Sequence, residues 1–137
     1  MRFLRKLIKS IILSFYWHKS INAVYKGDFK NALKFLEISE SYVEHTFCNQ
    51  LLKGWILFKL DRFDESIQSM SIATEKLQVA KSINRDERAY LEYYAAIIIN
   101  TSIDYASNDY DKFTLRKSFN LNNESEWHRN NFPIPDE

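Results

Sequence analysis

No helix breaker occurs between residues 2 and 26, and Leu4, Leu7, Ile8, Ile11 and Phe15 recur there at three- and four-residue steps, the helical period. Arg2, Arg5, Lys6 and Lys9 fall mainly on the other side of that helix. Gly27 stands where a helix would stop. Asp28 is suited to cap a second helix, which runs to about residue 41 with Phe29, Ala32, Leu33, Phe35 and Leu36 as its apolar side. A third helix is predicted over 45–60. A fourth starts at residue 62 or 63 and carries Phe63, Ile67, Met70, Ala73 and Leu77. The run Asn84, Arg85, Asp86, Glu87 reads as a capping box. The fifth helix that it opens holds Tyr90, Tyr93, Tyr94, Ile97, Ile98 and Ile99 and ends near 107–108. A short sixth is expected over 110–120, and residues 121–137, with Asn122, Asn123, Pro133 and Pro135, read as a cap or tail. The pattern predicts an all-α chain of about six helices stacked as antiparallel hairpins.

Composition supports this. The chain has only two glycines and two prolines in 137 residues, and both prolines lie in the last five positions. A sheet protein of this length would need more of both for its turns. The length fits one domain over 1–137, with 45% hydrophobic and 27% charged residues, an ordinary globular balance. The single cysteine, Cys48, allows no internal disulfide and fits a reducing compartment. The basic, apolar start resembles a secretory signal, but Lys9 interrupts the apolar run and no small-residue cleavage site follows. It is also too short and too charged to span a bilayer. Residues 1–12 are therefore expected to be a basic helical extension, and the chain is expected to be soluble and cytoplasmic.

The sequence repeats itself. Lys26, Gly27, Asp28, Phe29, Ala32 and Leu33 align with Leu60, Asp61, Arg62, Phe63, Ser66 and Ile67 at an offset of 34 residues. At the same offset Ser20 meets Gly54, Val24 meets Phe58, Leu36 meets Met70 and Ser39 meets Ala73. On these residues the chain resembles the tetratricopeptide repeat family, whose period is 34. Gly54, Ser66 and Ala73 are the small residues that would let paired helices approach. The resemblance covers roughly residues 13–77. A third, degenerate copy falls at 107–113, and the family's usual repeat-end proline is absent from both repeats.

The resemblance implies that the first helix of each pair lines a concave, peptide-binding face. Carried onto this chain, that face comprises Trp17, Ile21 and Tyr25, then Leu51, Trp55, Phe58 and Lys59. Lys59 is the one clear match to the cationic positions with which the family grips a peptide carboxylate.

Catalytic chemistry finds no foothold in the sequence. His18, His45 and His128 are isolated, and Cys48 has no partner at redox or metal spacing. The two glycines form no phosphate loop, and the pairs Asp64/Glu65 and Asp86/Glu87 lie at helix starts, where they complement the dipole. No enzyme, metal or cofactor is expected.

Charge is unevenly spread. Residues 1–34 hold eight Lys or Arg and one acid, a net +7, while residues 35–137 hold eleven and seventeen, a net −6. Glu37, Glu40 and Glu44, with Asp61, Asp64 and Glu65, would present a negative surface to a basic protein. Small stand-alone proteins of this kind, rich in Asn, Ile and Lys, resemble bacterial immunity proteins in size and composition, so the expected function is a non-enzymatic binding module that neutralises a toxin by tight binding. The alternative is a peripheral membrane adaptor held by residues 1–15. Nucleic acid is not expected, because the isoelectric point is only about 7.8 and the body is acidic.

Overall fold

The computed structural model describes residues 2–81 and 83–107. Within them the chain forms five α-helices: α1 (Arg2–Tyr25), α2 (Phe29–Tyr42), α3 (Phe47–Lys59), α4 (Phe63–Val79) and α5 (Arg85–Ser107). Helix α1 pairs with α2, α3 pairs with α4, and α5 packs on α4, so the helical-hairpin stack is the observed architecture. The predicted sixth helix over 110–120, the third repeat copy, the 121–137 tail and His128 lie outside the described residues.

The caps follow from local chemistry. Asp28 accepts a hydrogen bond from the Asn31 backbone N–H at the start of α2. Thr46 and Asn49 close a reciprocal capping box on α3. The Asn84 side chain accepts from the Glu87 N–H and opens α5. Helix α4 has no side-chain cap. Instead Asp64 and Glu65 face its positive end, and the Arg62 guanidinium grips Glu65 with two hydrogen bonds of 2.8 and 2.6 Å. That charged pair raises the Arg62 pKa and lowers that of Glu65.

The 34-residue offset persists in the hydrogen bonds. At the first turn the Asp28 N–H donates to the Ala23 carbonyl at 2.8 Å and the Gly27 N–H to Val24 at 2.9 Å. At the second, Arg62 donates to Leu57 at 2.9 Å and Asp61 to Phe58 at 3.1 Å. Both turns need a left-handed residue, supplied by Gly27 (φ 73°) and Asp61 (φ 62°). A Cβ on Gly27 would meet nothing within 4 Å, so Gly27→Ala bears on the backbone alone. A loss of about 1 kcal/mol is expected for it in urea unfolding, from left-handed strain partly offset by a stiffer unfolded chain.

Where the paired helices touch, the two hairpins use the same positions in reciprocal ways. Ser20 Oγ in α1 donates to the Ala32 carbonyl of α2 at 2.9 Å. Ser66 Oγ in α4 donates to the Gly54 carbonyl of α3 at 2.7 Å. Serine and its small partner have exchanged helices between the two hairpins. In each case the contact is buried and the backbones can come close.

Helix α3 is the centre of the core. Leu51, Leu52, Trp55, Ile56, Leu57 and Phe58 are all buried, so this helix is covered nearly all round. Rings fasten it to its neighbours. Trp55 meets Phe29 of α2 edge-on at 5.6 Å, and Phe58 meets Phe63 of α4 at 5.7 Å. Tyr105 of α5 stacks on Phe63 at 4.9 Å. On α5 the buried line is Leu91, Tyr94, Ala95, Ile98, Ser102 and Tyr105, whereas Tyr93 stays exposed. The Arg88 guanidinium closes the α4–α5 connection by donating to the carbonyls of Leu77 and Ala80.

Candidate functional site

The residues singled out for an inner binding face part company. Ile21, Leu51, Trp55 and Phe58 are buried in the core. Trp17 packs against that core half-buried. Tyr25 is exposed. Lys59 lays its ammonium over the Trp55 ring, 5.5 Å from the centroid, and so covers a core residue.

The acidic residues are exposed, and several already face cations of this chain. Glu40 accepts from Lys53 at 3.0 Å, bridging α2 to α3. Glu44 pairs with Lys76 of α4 at 2.9 Å, and that contact holds the Glu44 carboxyl below its usual pKa. Glu65 is held by Arg62, and Glu37 lies near enough to raise the Arg62 pKa further. Asp64 sits in the first turn of α4 and Asp61 in the turn before it. With Glu65 and Arg62 they line a shallow hollow of about 350 Å³ beside Phe63 and Ala106.

A buried polar cluster was not legible in the sequence. His45 Nε2 lies 2.7 Å from Ser39 Oγ, and its Nδ1 lies 3.2 Å from a Glu40 carboxylate oxygen. The three groups sit at the separations of a Ser-His-carboxylate triad. Ser39 Oγ also lies 2.8 Å from the Leu36 carbonyl of its own helix, a second acceptor for its proton. Both Ser39 and His45 are buried, so a substrate carbonyl has no path to the hydroxyl. The cluster works as a joint between α2 and α3.

That joint titrates. Burial lowers the His45 pKa below the ordinary 6.5, opposed by Glu40 and assisted by Lys53 and Lys76. The unfolded chain therefore takes a proton more readily than the folded one. Stability from this group is present above about pH 6.5 and is lost as pH falls through the lower, folded value. Urea midpoints are expected to drop on acidification through that window, and His45→Gln should flatten the dependence. An equal slope in both proteins would exclude His45 as its source. Cys48, by contrast, is inert: burial pushes its thiol up to about 12.

A second open feature lies on α1. Residues 2–11 are all exposed, because α1 runs on past the end of α2. Along this helix the apolar side reverses. In the second half the buried residues are Ser20, Ile21, Ala23 and Val24. In the first half, the positions seven and fourteen residues before Ala23 and Ser20 are Tyr16, Lys9, Leu13 and Lys6, so Lys6 and Lys9 continue the bundle-facing side as cations. The outward line is Leu4, Ile11, His18 and Tyr25, every one exposed, and Leu7, Ile8 and Phe15 flank it. Leu4 is 53% exposed and Ile11 59%. These side chains point away from the core that the described residues build.

Among the described residues no helix is long and apolar enough to cross a membrane, and no group of His, Cys, Asp or Glu has the makings of a metal site. No family model, curated protein or solved structure matches this chain.

Proposed function

We propose that this chain is a non-catalytic binding module of the tetratricopeptide type, working in the cytoplasm, whose docking surface is the amino-terminal half of α1. One observation carries the reading: the apolar side of α1 reverses, so that Leu4, Leu7, Ile8 and Ile11 face outward while the same helix packs on α2 through its opposite side. An exposed apolar stripe rimmed by charge is the surface form of an interaction site. The paired turns and reciprocal serine contacts support the repeat assignment, and the closed Ser39–His45 joint supports a role without chemistry.

The test places a photo-crosslinking amino acid at Leu7 or, as a control, at Asn22, which is also exposed. Adducts in living cells are expected at the first site and not at the second. No adduct at Leu7 would sink the reading. A single protein captured there would favour the toxin-neutralising form of it.

A further inference from the structure

Resting on that reading, we propose that the occupant of the α1 surface is an anionic lipid bilayer, with α1 lying in the plane of its interface. Three observations select a membrane. The first is the kind of residue on the stripe. Over residues 2–11 it consists of Leu4, Leu7, Ile8 and Ile11, with Tyr25 on the same line only at the far end of α1, whereas protein interfaces draw their binding energy from Trp, Tyr and Arg and under-use Leu. Short aliphatic side chains in a continuous line suit an acyl layer, which asks for area and not for shape.

The second is charge. Helix α1 contains no acidic residue. Arg2, Arg5, Lys6 and Lys9 lie outside the apolar line, where their flexible stems reach back to headgroup phosphates while the ring of aliphatic groups enters the layer.

The third is the separation of charge along the molecule. Among the described residues, α1 carries five Lys or Arg and no acid, a net +5, while residues 26–81 and 83–107 carry ten Lys or Arg and twelve acids, a net −2. An anionic surface attracts α1 and not the rest of the described stack, which turns α1 toward the lipid. Because α1 is too charged to span, it rests on the surface, and the fourteen or so residues up to Phe15 would cover about 21 Å of it.

The experiment is co-sedimentation of the full chain with vesicles of phosphatidylcholine alone and of phosphatidylcholine mixed with phosphatidylglycerol, at low and high salt. Binding is expected to the mixed vesicles, at least about tenfold above the neutral ones, and to weaken as salt rises. Leu7→Glu with Ile11→Glu is expected to abolish it. Arg5→Gln and Lys6→Gln are each expected to weaken it about fivefold. All four side chains are exposed, and unchanged thermal melting establishes that each variant is folded. Failure of the mixed vesicles to retain the protein at low salt would overturn the inference, as would binding indifferent to Leu7→Glu and Ile11→Glu. Stripe-dependent self-association without vesicle binding would assign the surface to a second copy and also overturn it. Protein adducts at Leu7 together with no vesicle binding would sink the membrane and leave the docking surface standing.

Discussion

Trp55→Ala is expected to cost about 3–5 kcal/mol, much of the stability that a domain of this size possesses. Trp55 is 5% exposed in the middle of α3 and meets Phe29 edge-on, so truncation opens a cavity between the two hairpins and removes a ring contact. Lys59 would lose the ring beneath its ammonium as well. The natural comparison is Tyr25→Ala. Tyr25 was grouped with Trp55 on one inner face, yet it is 57% exposed, and its loss should stay within about 0.5 kcal/mol. Urea unfolding of both variants measures the difference directly. Equal costs would mean that α3 is not the buried centre of the stack.

Gly54→Leu should be nearly as damaging, at about 3 kcal/mol, for the opposite reason. A Cβ at Gly54 would stand 2.9 Å from both Cγ and Cε of Met70, closer than real side chains approach. Ser66 Oγ binds the Gly54 carbonyl on this same contact and keeps α4 from retreating. Gly54→Ala is the gentler probe. It gains about 1 kcal/mol of helix propensity and loses it again in pushing Met70 aside. With Met70→Ala in place the obstacle is gone, so the pair should be more stable than the sum of the two single changes predicts. Additivity in that double-mutant cycle would show that the two residues do not touch.

The helices, their caps at Asp28 and Asn84, and the 34-residue register were readable from residue type and spacing, because they depend on neighbours within a turn or two. The hairpin contact was readable through its small residues, Gly54, Ser66 and Ala73. The burial of Trp55 and Phe58 was not. A face assigned through likeness to a repeat family says which side of a helix a residue occupies, but not whether another helix covers that side. Helix α3 has neighbours on both, and its near-unbroken apolar run of Leu51, Leu52, Trp55, Ile56, Leu57 and Phe58 was the signal for it. The acidic residues were found correctly as exposed, but their pairing with Lys53 and Lys76 spans separate helices and cannot be read from spacing. The same holds for Ser39 and His45, which a loop folds together. For α1 the pattern Leu4, Leu7, Ile8, Ile11, Phe15 was plain. What it concealed was that the bundle would take the other side of the helix.

The reversal in α1 divides the tolerance of the chain to change. From Ser20 onward, a substitution on the bundle-facing side is judged by whether the protein folds. Over residues 2–11 the folded stack exerts no such judgement, since nothing there is buried. A library of variants scored for folding alone should therefore find this stretch almost silent. The same library scored in the cell should find it demanding at the outward line of Leu4 and Ile11, so the two scores, laid side by side, would map where the molecule answers to its surroundings and not to itself.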